Sequence, residues 1–285
     1  MGLRKYIRLL AVPLVALLLL SFGTVAAGAP DKSPRGEEPG DGAVTVLSNG
    51  IYKVSILNDM SGDPGIFTVG TGSEHPVPEA DMLYGGWEEY PATSYLSVWD
   101  YGSGVVYTSD SEFSSVEPAG SYAIAYMGAW GVEFESSRRQ ATTRWFPEGH
   151  IEVEQEVEVI GSSLSNSAVR VTTKVSNTSD HRREVGIRYF WDIMVADEDG
   201  VWYATRDPGS SFGQSERIYT RPTFDRFVAT DYPDGPELLV FGSMKGPKGV
   251  FSPNPTPPAR FIFGSYSNHS PPAGVIWVSW TTGSW

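Results

Sequence analysis

The chain has no cysteine among its 285 residues and only four histidines. Without cysteine there is no disulfide framework, no thiol nucleophile, no cysteine-ligated zinc and no lipid-modified cysteine. Positive charge is scarce as well. Lys and Arg number 21 against 34 Asp and Glu, for a net charge of −13, which argues against a nucleic-acid partner because phosphate binding needs a basic footprint. Long apolar runs are confined to one place near the N-terminus. H-E-x-x-H, P-loop and dinucleotide-binding patterns are all missing, so the common sequence signatures of zinc proteases and nucleotide enzymes are not met. No repeat of fixed period is present, which argues against a propeller or solenoid.

Hydrophobic residues are not scarce. At 40% they can fill a real core. The N-terminus opens with Arg4, Lys5 and Arg8, continues with the fourteen-residue apolar stretch Leu9 to Phe22, and offers small residues at Val25-Ala26-Ala27. That is the order of a secretory signal, and fourteen residues fall short of the about 20 that a transmembrane helix needs. The expectation is a signal helix over 1–27 and a mature protein that is secreted or extracytoplasmic. Contact with the membrane would come only through an uncleaved signal. Cleavage after Ala27 leaves a charge of −16, since three cations depart. Residues 28–42 follow; from Pro30 to Gly42 they contain proline, glycine and charge with no apolar residue, which reads as a flexible linker. Residues 43–285 form the expected single folded domain.

In that domain the apolar period is two. Ile151, Val153, Val157 and Val159 point one way and Glu152, Glu154, Glu156 and Glu158 the other, the pattern of a half-buried strand with a solvated acidic face. Val169, Val171 and Val175 repeat it, with Arg170 and Lys174 placed to face the glutamates. Val185 to Met194 is apolar on both faces and reads as a central strand. Asn49-Gly50 between two apolar runs predicts a hairpin. Further strands are expected near 218–220, 226–229, 238–241, 260–263 and 275–280. With 31 Gly and 21 Pro, long helices are hard to sustain. The fold class is therefore all-β: a large antiparallel β-sandwich, supersandwich-like, of about 12 to 16 strands.

Three groups of residues could carry chemistry. Tyr84 to Tyr101 is rich in aromatics and acids, and Trp87, Glu88, Tyr90, Tyr95 and Trp99 suit sugar binding, where aromatic faces stack on C–H patches and carboxylates accept from hydroxyls. The same residues also serve as sandwich core and rim. Asp192, Asp197 and Asp199, followed by Gly200, resemble part of a calcium loop, although the twelve-residue EF-hand pattern is absent and an acidic turn with Gly200 at positive φ needs nothing more. Asp192 interrupts an otherwise apolar strand, and an ion pair with Arg188 is the expected outcome. Glu148 and His150 stand two apart before the glutamate strand and could transfer protons, or simply form a turn around Gly149. His75 and His269 are the other histidines expected in loops.

The run IEVEQEVEVIG followed by AVRVTTKVSNTSDHRREVGIRYFWDIMVADEDG resembles the large supersandwich domains of the galactose-mutarotase-like class. It is similar also to secreted β-sandwich proteins with a strand, N-x-(S/T), strand, G-x-R-Y…D…(D/N)-G run. Here that run is Asn177 to Ser179, then Gly186, Arg188, Tyr189, Asp192, Asp199 and Gly200. The resemblance implies fold, export and a link to sugars. The histidine pair and glutamate of mutarotase catalysis are not found, so no catalytic residue is carried over. The expected function is an exported, non-catalytic protein that binds carbohydrate or a cell-envelope component, with no cofactor beyond a calcium ion. The alternatives are a carbohydrate-active enzyme using Asp192, Glu148 and His150, and a structural surface or filament subunit.

Overall fold

The computed structural model describes residues 15–17, 44–59, 62–85, 93–111, 122–205, 211–224, 226–243, 258–266 and 273–279. In chain order its strands are β1 (Val15–Leu17), β2 (Val44–Ser48), β3 (Tyr52–Leu57), β4 (Phe67–Thr71), β5 (Tyr95–Asp100), β6 (Val105–Thr108), β7 (Ala123–Tyr126), β8 (Val132–Ser136), β9 (Gln140–Trp145), β10 (Ile151–Ile160), β11 (Ala168–Asn177), β12 (Val185–Ile193), β13 (Trp202–Thr205), β14 (Arg217–Thr220), β15 (Arg226–Thr230), β16 (Leu239–Ser243), β17 (Arg260–Tyr266) and β18 (Ala273–Ser279). They form an eight-stranded sheet ordered β13-β15-β16-β1-β11-β10-β9-β8, a seven-stranded sheet ordered β14-β17-β18-β12-β5-β6-β7, and a three-stranded sheet β2-β3-β4. Among the described pairings only β6 with β7 is parallel. The all-β, antiparallel class is as the sequence predicts.

The strand count exceeds the expected range because β6, β7, β8 and β13 span only four or five residues, too few to show a period in sequence. The N-terminal segment departs further. Most of residues 1–27 lies outside the described residues, but Val15–Leu17 is a strand, where a signal helix is expected.

The glutamate strand behaves as read. Along β10 the buried positions alternate without a break. Its register with β11 sets Glu154 opposite Lys174 and Glu158 opposite Arg170. Arg170 pairs with Glu158, and Arg144 of β9 bridges Glu154 at 2.7 Å and Glu135 at 2.8 Å. The opposite face of β10 and β11 enters one core with Leu96 and Val98 of β5 and Ile187, Tyr189, Trp191 and Ile193 of β12. Gln155 sits in that core at 1% exposure. Its amide donates to the Gly65 carbonyl at 2.7 Å, and its Oε1 accepts from the Tyr189 hydroxyl at 3.1 Å. The same hydroxyl lies 2.5 Å from Thr173 Oγ1, so the two large sheets share a satisfied polar network. Burial raises the Tyr189 phenol well above its ordinary range.

β12 is central, between β5 and β18, as its two apolar faces predict. Asn49 turns the β2–β3 hairpin and also ties it to the eight-stranded sheet. Its Oδ1 accepts from the amides of Ile51 and Tyr52, while its Nδ2 donates to the Ile160 carbonyl at 3.0 Å and to Ser167 Oγ at 2.9 Å. Gly50 beside it has φ +88°, and a Cβ there would meet the Glu74 carboxyl at 2.7 Å.

Candidate functional site

The outward face of the seven-stranded sheet carries the residues of interest. The β5–β12 register aligns Tyr95 with Phe190, Ser97 with Arg188 and Trp99 with Gly186. These positions alternate with the core-facing Leu96, Val98, Ile187 and Tyr189, so one row of side chains runs from Trp99 at one end to Asp192 at the other.

Trp87, Glu88 and Tyr90 lie outside the described residues. Tyr95 is 6% exposed and stacks on Phe190 with ring centroids 4.9 Å apart. Leu57 and Ile66, at the two ends of the β3–β4 connection, cover this pair and complete a small second core. Tyr95 is thus a packing residue, the alternative that its aromatic type allowed. Trp99 remains half-buried at the surface. Tyr101 lies 4.5 Å and Tyr122 5.4 Å from it between ring centroids, both tilted. Beside them burial lowers the pKa of the Arg188 guanidinium, opposed by the Tyr95 and Tyr122 phenols.

Asp192 does not take Arg188 as its partner. Thr93 Oγ1 donates to its Oδ2 at 2.5 Å, and its Oδ1 is buried with no hydrogen-bond partner among the described residues. The reason is geometric. Four residues along a strand span about 13 Å, beyond the reach of an ion pair on one strand. Burial lifts the Asp192 carboxyl to about 6; Asp199 pushes it further the same way and the Thr93 hydroxyl opposes.

The expected calcium trio does not assemble. Asp199 acts on Asp192 electrostatically, whereas Asp197 is exposed on the turn. No group of three His, Asp or Glu in metal-holding geometry exists among the described residues. The segment is a turn closed by the Val195–Glu198 bridge, with the Glu198 carboxylate accepting from the Gly200 amide at 2.9 Å. Ala196, not Gly200, takes the positive φ of +54°.

Glu148 and His150 are exposed in the turn that joins β9 to β10 of the eight-stranded sheet. Glu148, at φ +51°, bonds the Tyr107 phenol, which burial chiefly and the nearby carboxylates push up to about 12. Tyr107 lies opposite Val98, and Val98 opposite Ile187. Asp192 is five residues further along β12, about 16 Å away. Proton transfer needs hydrogen-bond reach, so Asp192, Glu148 and His150 cannot serve one reaction centre. His75 is buried against Tyr52, with Nδ1 2.8 Å from the Val77 carbonyl, and burial lowers its pKa. His269 lies outside the described residues.

The comparisons with known proteins find no matching family model, no similar curated protein and no similar solved structure. The geometry stands alone.

Several residues at the Trp99 end escaped sequence reasoning. Trp130 is 40% exposed and meets Tyr107 edge-on at 5.8 Å. Asp100, fully buried, is paired by Arg183 from the β11–β12 loop. Tyr101 N donates to the Glu184 carbonyl, and Thr178 bonds both Gly149 and His150 carbonyls, so three loops converge here. The sequence offered little sign of this, because the partners are 23 to 83 positions apart. The concavity lined by Ile151, Val175, Asn177, Arg183 and Val185 holds about 10 Å³. That admits about one water, against about 300 Å³ or more for a small-molecule pocket. The chemistry available at this end is surface contact through aromatic faces.

Proposed function

We propose that the protein is exported and binds carbohydrate non-catalytically through the Trp99–Tyr101–Tyr122 patch. The observation that carries this reading is the clustering of three half-buried rings around Trp99 on an outward sheet face. Such rings offer π-faces to the C–H patches of a sugar, and half-buried Trp and Tyr beside polar groups are suited to a ligand with both apolar and hydroxyl surfaces. The resemblance of the 151–200 run to sugar-linked supersandwich domains supports the same reading, as does the signal-like N-terminus. The enzymatic alternative is disfavoured because Asp192 stands on β12 of one large sheet and Glu148 and His150 in the β9–β10 turn of the other, with no shared cleft among the described residues.

The test is a glycan array or polysaccharide pull-down with the purified exported protein, compared with Trp99→Ala and with Glu152→Ala on the charged sheet. The expected result is binding that Trp99→Ala abolishes and Glu152→Ala leaves intact. Binding that survives Trp99→Ala, or no glycan bound at all, overturns the proposal.

A further inference from the structure

β1 occupies a position that no other described strand fills. It lies between β11 and β16, antiparallel to both, with Val15 opposite Val171, Ala16 opposite Arg170 and Ser243, and Leu17 opposite Val169 and Gly242. These residues belong to the apolar stretch that the sequence marks as a removable leader. Without them the eight-stranded sheet divides into β13-β15-β16 and β11-β10-β9-β8. Two strand edges then face each other across one strand's width, since neighbouring strands stand about 4.8 Å apart. Each edge would present unpaired backbone N–H and C=O groups, the usual template for strand addition.

The slot has defined chemistry. Positions 15 and 17 register with Val169 and Val171, which are 0% and 4% exposed and face the core. On the other side, Gly242 lies beneath the Phe227 ring, so close that a Cβ would stand 2.0 Å from it. Position 16 registers with the half-buried Arg170 and with Ser243, which is 2% exposed. A strand seated here needs aliphatic residues at alternate positions toward the core and tolerates a small or polar one between them. The linker from Pro30 to Gly42 has no apolar residue and includes Pro30, Pro34 and Pro39, which lack the backbone donor that a ladder uses. It cannot replace β1.

We propose that in the processed protein this slot accepts an extended aliphatic strand from another exported polypeptide, completing the sheet by β-augmentation. The proposal rests on the reading that the leader is removed on export.

Intact mass of the exported, purified protein first establishes whether residues 1–27 are gone. If they are retained, the slot is filled within the chain and the proposal falls, independently of any glycan result. If they are gone, amide hydrogen exchange is followed on β10, β11 and β16 with and without a synthetic peptide of residues 14–19 flanked by lysines. Expected in the free protein is exchange at least about tenfold faster at the β11 amides not paired with β10, and at the slot edge of β16, than along β10. The peptide should slow both edges together and raise Tm. The same peptide N-methylated at alternate ladder positions keeps its side chains but loses donors, and it should bind at least about tenfold more weakly. Edges already as protected as β10 without peptide, or equal binding of the N-methylated peptide, overturns the proposal.

Discussion

The outer faces of the two large sheets are built from the same period-two pattern and end up unlike each other. On the eight-stranded sheet, Glu152 to Glu158 face water, with Arg144 and Arg170 offsetting their repulsion. On the seven-stranded sheet the corresponding row, Tyr95, Arg188, Phe190 and Asp192, is largely covered. Leu57 and Ile66 close over the middle, and Thr93 reaches Asp192. Alternation reports which residues share a face; a second layer decides whether that face meets solvent. The aromatic patch at Trp99 lies where the cover thins.

The contrast can be broken by mutation. The largest effect is expected at Phe190→Ala, which empties the covered face beside Tyr95 and should cost about 3 kcal/mol by denaturant unfolding. A loss no greater than that of a charged-face variant would mean that the cover is not packed. Next is Arg183→Ala. It leaves the fully buried Asp100 carboxylate without its cation and should cost about 2 kcal/mol, whereas Asp100→Asn with Arg183→Ala recovers part of the loss.

Asp192→Asn should act in the opposite direction. The folded carboxyl titrates near 6, above its ordinary 3.8, so the folded state holds a proton that the unfolded chain has already released. Stability therefore falls as pH rises through that window, and the asparagine variant escapes the loss. A gain of about 1–2 kcal/mol at pH 7, fading toward pH 4, is expected in paired unfolding curves. A destabilised variant at pH 7 would show that the carboxylate is compensated in solution. The smallest effect belongs to the solvated face. Glu154→Gln should shift stability by no more than about 0.5 kcal/mol, less still in high salt.

The local features were legible because their causes are local. The β10 and β11 alternation, the position of Arg170 and Lys174 across from the glutamates, the Asn49-Gly50 hairpin and the two-sided burial of β12 all follow from residue spacing and backbone geometry. The site was less so. Tyr95 and Trp99 are four residues apart on one strand and one face, yet one is core and the other surface, because Leu57 and Ile66 come from a different part of the chain. The Arg188–Asp192 pair failed because spacing along a strand separates what a helix would bring together. Trp130, Tyr107 and the Asp100–Arg183 pair gave no signal, since their partners are remote in sequence.

The sequence alone therefore determined the all-β class, the acidic solvated face and the identity of the central strand, since each depends on a side-chain period that the backbone imposes. Tertiary structure alone decided which aromatics stay accessible, which carboxylate is buried, and that Val15–Leu17 sits between β11 and β16. Those outcomes depend on which distant segment covers a face or fills a gap, and no local pattern encodes that.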